Sequence, residues 1–178
     1  MTSAPTPVAA EPESEQQPVV KPMGLSDLTT LAHNYHVPMS EGTLKQLLGP
    51  NGEADPQKVQ SFEDYLKTTA SGLYPTLAPQ LKAGIPTAFL LDPYRQLGKQ
   101  VLGEDFEPNF QSDPNARAAL QGGTDAQGHP TPMSLAQWEA HLKSNPAFGY
   151  QDTPKGQLET MQMKQRIAQA LGASSDAS

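Results

Sequence analysis

Residues 87–103 read TAFLLDPYRQLGKQVLG, and this stretch decides the fold. It holds the densest apolar run of the chain: Phe89, Leu90, Leu91, then Tyr94, Leu97, Val101 and Leu102. Leu90, Tyr94, Leu97 and Val101 recur at three- and four-residue steps, the spacing of one face of a helix. Proline suits the first turn of a helix, and an aspartate before it caps the exposed amides. Asp92-Pro93 therefore predicts the start of a buried helix of about three turns. Phe89–Leu91 would lead into it and Gly103 would stop it. Leu90, Tyr94, Leu97 and Val101 are the expected heart of the core.

The same device recurs along the chain. Asp55-Pro56, Asp113-Pro114 and Thr153-Pro154 each precede a stripe of apolar residues at helical spacing. After Asp55 come Val59, Phe62, Tyr65 and Leu66, and after Asp113 come Ala118, Ala119 and Leu120. Elsewhere Ser26, Ser40 and the capping-box pair Ser134/Gln137 open short helices, and Gly49-Pro50, Gly72, Gly84 and Gly122-Gly123 close them. The run TDAQGHPTP (124–132) reads as a turn-rich loop or small hairpin. Strict apolar alternation never persists, so no sheet is expected. The expected fold is all-α: a compact array of seven or eight short helices joined by Pro/Gly turns. An acidic, Pro-rich arm (1–23) would precede an N-terminal helical lobe (24–84), a C-terminal lobe (85–172) and a frayed tail (173–178).

Composition narrows the function. The 178 residues carry a net charge of −7, which argues against non-specific binding of nucleic acid or of an anionic membrane. The absence of cysteine removes disulfides, thiolate chemistry and thiolate-ligated zinc. No run is long and apolar enough to cross a membrane. The first twenty residues lack a basic and then apolar leader, so secretory export is not expected. The arm is rich in Pro, Ala, Glu, Ser and Gln, a composition that does not order alone.

Catalytic signatures are missing. His33 and His36 stand three apart but have no carboxylate at a matching helical offset, so no metal site is expected. His141 reads as a polar-face neighbour of a buried Trp138, and His129 as an exposed loop residue. Glu104, Asp105 and Glu107 are crowded carboxylates after the central stretch, and they are the one group with a bearing on glycoside hydrolysis. A solvated loop is the simpler reading. No cofactor motif is present.

The last helix differs from the others. Leu158, Met161, Gln165, Ala168 and Leu171 form one stripe, with Met161 suited to the core. Met163, Ile167 and Ala170 form a second. Two apolar faces need two surfaces, so this helix is the expected partner-binding element. Lys164 and Arg166 lie among the same residues.

A resemblance joins these blocks. FEDYLKTTASGLYPTLAPQLKAG (62–84), LLDPYRQLGKQVLG (90–103), SDPNARAAL (112–120), PMSLAQWEAHLKSNPAFGYQDT (132–153) and the closing helix to Gly172 stand in this order. So arranged, the chain resembles a recurrent helical region of structural proteins in tailed bacteriophages of actinobacteria, tape-measure-like and other internal or tail-associated chains. YHVPMSEGTLKQLL (35–48) joins it more loosely. The resemblance implies a non-enzymatic virion protein, assembled in the host cytoplasm. It would be present in multiple copies and bind capsid, portal or tail proteins through its arm and last helix. It brings no catalytic residues and no small-molecule substrate. A capsid scaffold or assembly factor, acidic and helical with a basic terminal helix, and a tail-associated cell-wall hydrolase are the alternatives.

Overall fold

The computed structural model describes residues 21–175, so most of the acidic arm lies outside the described residues. Among them are eight α-helices: α1 (Leu25–Asn34), α2 (Glu41–Lys45), α3 (Pro56–Leu73), α4 (Ala78–Lys82), α5 (Thr87–Leu102), α6 (Pro114–Gln121), α7 (Leu135–Ser144) and α8 (Pro154–Ser175). The fold is all-α. Two antiparallel ladders of two residues each clip loops together, and neither grows into a larger sheet. Met23–Gly24 (β1) pairs with Glu53–Ala54 (β2), and Gly123–Thr124 (β3) pairs with Pro130–Thr131 (β4). The second is the small hairpin of the TDAQGHPTP run. The first shows that ordered structure begins before Ser26: Gly24 precedes α1 and its N–H is donated to Asp27 Oδ2 at 3.2 Å.

Most helix starts follow the caps written in the sequence. Ser40 Oγ accepts Thr43 N–H at 3.1 Å, Asp55 Oδ1 accepts Lys58 N–H at 3.0 Å, and Asp113 Oδ1 accepts Asn115 N–H at 2.9 Å. Ser134 and Gln137 close a reciprocal capping box at 3.2 and 2.8 Å. Thr153 Oγ1 accepts Gly156 N–H at 3.1 Å at the foot of α8. Each satisfies amide donors that the first helical turn leaves without partners.

Asp92-Pro93 is the exception. α5 begins at Thr87, after Pro86, and Pro93 lies inside it. The helix runs 16 residues and five of them precede Asp92. Pro93 leaves the Phe89 carbonyl without its usual i+4 donor. Phe89 is 69% exposed, so water can take that role. The buried face shifts accordingly. Thr87, Leu91, Gly98 and Val101 are buried, whereas Leu90, Tyr94 and Leu97 are half-buried. Val101 is the one residue of the expected quartet that is fully enclosed. Gly98 belongs to this face because a Cβ there would lie 2.5 Å from the Phe106 ring.

One core runs from Leu28 to Tyr150 and draws on residues from both sides of position 84. α5 is stitched into it by three side chain–backbone hydrogen bonds. The fully buried Thr87 donates its hydroxyl to the Tyr35 carbonyl at 2.9 Å. The Tyr94 hydroxyl donates to the Met133 carbonyl at 2.7 Å. The Trp138 indole N–H donates to the Tyr94 carbonyl at 3.0 Å. Around Trp138 lie Tyr94, Phe110, His141 and Phe148, with ring centroids 5.6–6.4 Å away. His141 is therefore no polar-face residue: it stacks on the indole at 26° and is half-buried.

The shifted face gives a direct check. Leu91→Ala, at a site with no exposure, should cost about 3–5 kcal/mol, and Leu97→Ala clearly less. Denaturant unfolding of the two variants measures the difference, and equal costs would return the core to the face first expected.

Candidate interaction surfaces

α8 leaves the body of the protein early. Its foot is held tightly: Gly156 is buried, and a Cβ there would overlap the Tyr150 carbonyl oxygen. Thr160 Oγ1 donates to Gln151 Oε1 at 3.0 Å, and Glu159 pairs with Lys143 at 3.6 Å. From Met161 through Gly172 every residue is exposed. Met161, expected on a core stripe, is 58% exposed, and Leu158 is also open to solvent. The expectation fails because the buried core ends at Tyr150 and takes in no residue of α8. Met163, Lys164, Arg166, Ile167 and Ala170 are all exposed too. Successive residues turn by about 100°, so the Leu158/Met161 stripe and the Met163/Ile167 stripe lie on roughly opposite faces.

A second apolar surface is a groove of about 680 Å³ between the α2 region and α3. Met39, Leu47, Phe62 and Tyr65 line it, and Tyr65 is half exposed.

The third feature is a cleft of about 390 Å³, lined among others by His33, His36, Tyr74, Arg95, Phe110 and Gln111. It forms where the end of α1 meets α5 and the loop after α5. His36 holds φ +54°, and among the described residues it is the one non-glycine with positive φ. This left-handed residue ends α1, where glycine is the usual choice. Gln111 Nε2 donates to the His36 carbonyl at 2.9 Å, so the turn is fixed by the loop across the cleft. Burial holds the His36 imidazole down at about 4, helped by Arg95 and His33. Arg95 makes no hydrogen bond or ion pair with any described residue, and its Nε is enclosed without a partner. Sequence reading passed over this residue. Asp92 stands three positions earlier, the spacing of an ordinary surface pair, yet the two do not join.

The carboxylates after α5 do not converge. Glu104, Asp105 and Glu107 are exposed, and Glu107 is bound to Lys99 at 2.5 Å. That contact holds the Glu107 carboxyl below its usual range, the reverse of what a general acid needs. The His33 and His36 rings stand 6.1 Å apart, and no group of three or more His, Cys, Asp or Glu among the described residues is placed to hold a metal. His129 is exposed and rests on Asp125 at 3.1 Å. No described helix is long and apolar enough to cross a membrane.

His36 sets a pH dependence. Its folded value lies below the ordinary 6.5, so the folded state favours the neutral ring. The unfolded chain therefore takes up the proton first. The stabilisation is complete above about pH 6.5 and is lost as pH falls through about 4. His36→Asn keeps a residue tolerant of the left-handed turn and removes the titration. Unfolding measured from pH 7 to pH 4 should show the parent losing about 1–2 kcal/mol more than this variant.

No protein-family model, no curated protein and no solved structure matches this chain, so its functional reading rests on its own residues and geometry.

Proposed function

We propose that the protein is a non-catalytic structural component of a multi-subunit assembly, engaged through α8. From the ordered blocks quoted above, we propose the virion of a tailed bacteriophage as that assembly. The observation that carries the reading is the exposed apolar surface of α8. A lone helix shorter than about 12–15 residues is marginal in water, which is the size of the exposed part of α8, and most helical stability comes from packing. α8 spans 22 residues, about 33 Å, and beyond Thr160 it presents Met161, Met163 and Ile167 to solvent. A partner that covers them supplies the missing packing.

Magnitude supports a repeated contact over a solitary one. Burying Leu158, Met161, Met163 and Ile167 is worth about 1.5–3 kcal/mol each. Together that is roughly 6–12 kcal/mol, comparable with the ~4–15 kcal/mol lost in freedom on association. One such helix holds one partner weakly, and many copies engaged at once hold firmly. Opposite apolar faces suit a helix seated between two neighbours.

The scaffold reading has one observation in its favour. Glu159 is occupied by Lys143, which leaves Lys164 and Arg166 as the charges of the projecting segment up to Gly172. A basic terminal helix suits docking on an acidic shell.

Two measurements test the proposal. Met163→Glu with Ile167→Glu removes no internal packing, so the melting temperature should stay within about 2 °C of the parent, while incorporation into particles falls at least about tenfold. Mass spectrometry of purified particles should find the parent chain at a fixed copy number. Presence in precursor particles with loss from mature ones selects the scaffold reading, and absence from both overturns the virion role.

A further inference from the structure

We infer that the cleft at Arg95 is a binding site for a carboxylate carried on an apolar or aromatic body. Arg95 is the starting point. A guanidinium has five N–H donors and stays charged at any physiological pH. Here it is half-buried with Nε fully enclosed, and none of its donors meets an acceptor in the described residues. An enclosed polar group without a partner costs stability, and a charged one costs more. No Asp or Glu lines the cleft. In a chain of net charge −7, the cleft is lined by a guanidinium and by no carboxylate, and the nearby Glu107 carboxyl, which feels the Arg95 charge, is itself bound to Lys99.

The neighbours specify the anion. The planar fork of arginine matches a carboxylate through two parallel N–H···O contacts. His36, kept neutral by burial, adds a hydrogen-bonding nitrogen without a second full charge. The cleft therefore offers one cation lining it, which balances a monoanionic carboxylate and leaves a phosphate dianion half compensated. Beside the polar His33 and Asn109, the walls include Val37, Pro38, Pro108 and the rings of Tyr74 and Phe110, which suit an apolar or aromatic body. The volume of about 390 Å³ lies within the range of small-ligand sites. The walls are also held in place. Gln111 grips the His36 carbonyl at 2.9 Å, and Arg117 donates to the Gln111 carbonyl, so the loop side of the cleft is tied to both α1 and α6. A site tied in this way is pre-organised, which lowers the cost of binding.

The carboxylate has two sources, a free acid or an acidic side chain of a partner polypeptide. Neither depends on the role proposed for α8. Calorimetric titration of the full chain with benzoate represents the first. An acetylated, amidated Phe-Glu dipeptide represents the second. At least one should bind at about millimolar or tighter, and benzamide, which lacks the charge, should not. The arm that binds identifies the source. Arg95→Gln should weaken binding at least about tenfold, and Arg95→Lys, which keeps the charge without the fork, should weaken it less. In the ligand-free protein, Arg95→Gln should melt no lower than the parent, because it removes a half-buried charge to which no carboxylate is bound. A purely structural arginine would give a lower melting temperature. Failure of both ligands to bind, binding unchanged in Arg95→Gln, phosphate binding as tightly as the carboxylates, or a ligand-free Arg95→Gln that melts lower than the parent would each overturn the inference.

Discussion

The hydrogen bond from the fully buried Trp138 indole to the Tyr94 carbonyl, made inside an aromatic cluster, is the contact on which the rest of the structure turns. A buried tryptophan removes some 150–250 Å² from water. Its N–H must find an acceptor, because leaving it bare costs about 1–3 kcal/mol. The acceptor it finds is the Tyr94 carbonyl on α5, so meeting that demand sets how α7 lies on α5. The same ring seats Phe110 and Phe148, and through them the loop after α5 and the turn after α7. Phe148 in turn holds Phe106, which rests on Gly98. A single indole thus locates two irregular segments that have little regular structure of their own.

α5 then distributes that order. Thr87 at its first turn reaches back to the Tyr35 carbonyl, and Tyr94 in its middle reaches forward to the Met133 carbonyl. Both acceptors belong to segments where a helix has ended or not yet begun. Their carbonyls have no helical donor, so side chains from α5 supply one. Gln111 does the same for His36. The result explains how a chain with 18 prolines and short helices holds one core: loops are held by side-chain donors where ladder bonds are absent.

Local signals were legible and phase was not. The aspartate and serine caps at Asp55, Asp113 and Ser134 act within three residues of themselves, so the sequence displays both partners at once. Asp92-Pro93 displays the same two letters, yet α5 runs through it. The difference lies outside the window, in the burial of Thr87 and Leu91, which extends the helix upstream. That extension moved the buried face from Leu90 and Leu97 to Leu91 and Gly98. Gly98 lies inside the expected helix with no side chain to mark it as a core position, and only Phe106 placed on it does so. Arg95 was invisible for a related reason: whether an arginine is paired depends on which carboxylates the fold brings near. On α8 the two apolar stripes were readable, but whether the body covers either was not.

The rooted glycine of α8 has a geometric consequence. Gly156 lies against the Tyr150 carbonyl so closely that no side chain fits, and the helix leaves the body along a direction fixed by backbone contact. A helix with a fixed exit angle works as a ruler: the distance from the core to a residue along it is set by residue count, at about 1.5 Å per residue. Changing that count by one would also rotate the contacted face by about 100°, whereas a change of seven nearly restores it. In an assembly built on this helix, as proposed, spacing and facing would therefore be coupled, and its length would be constrained in steps rather than continuously.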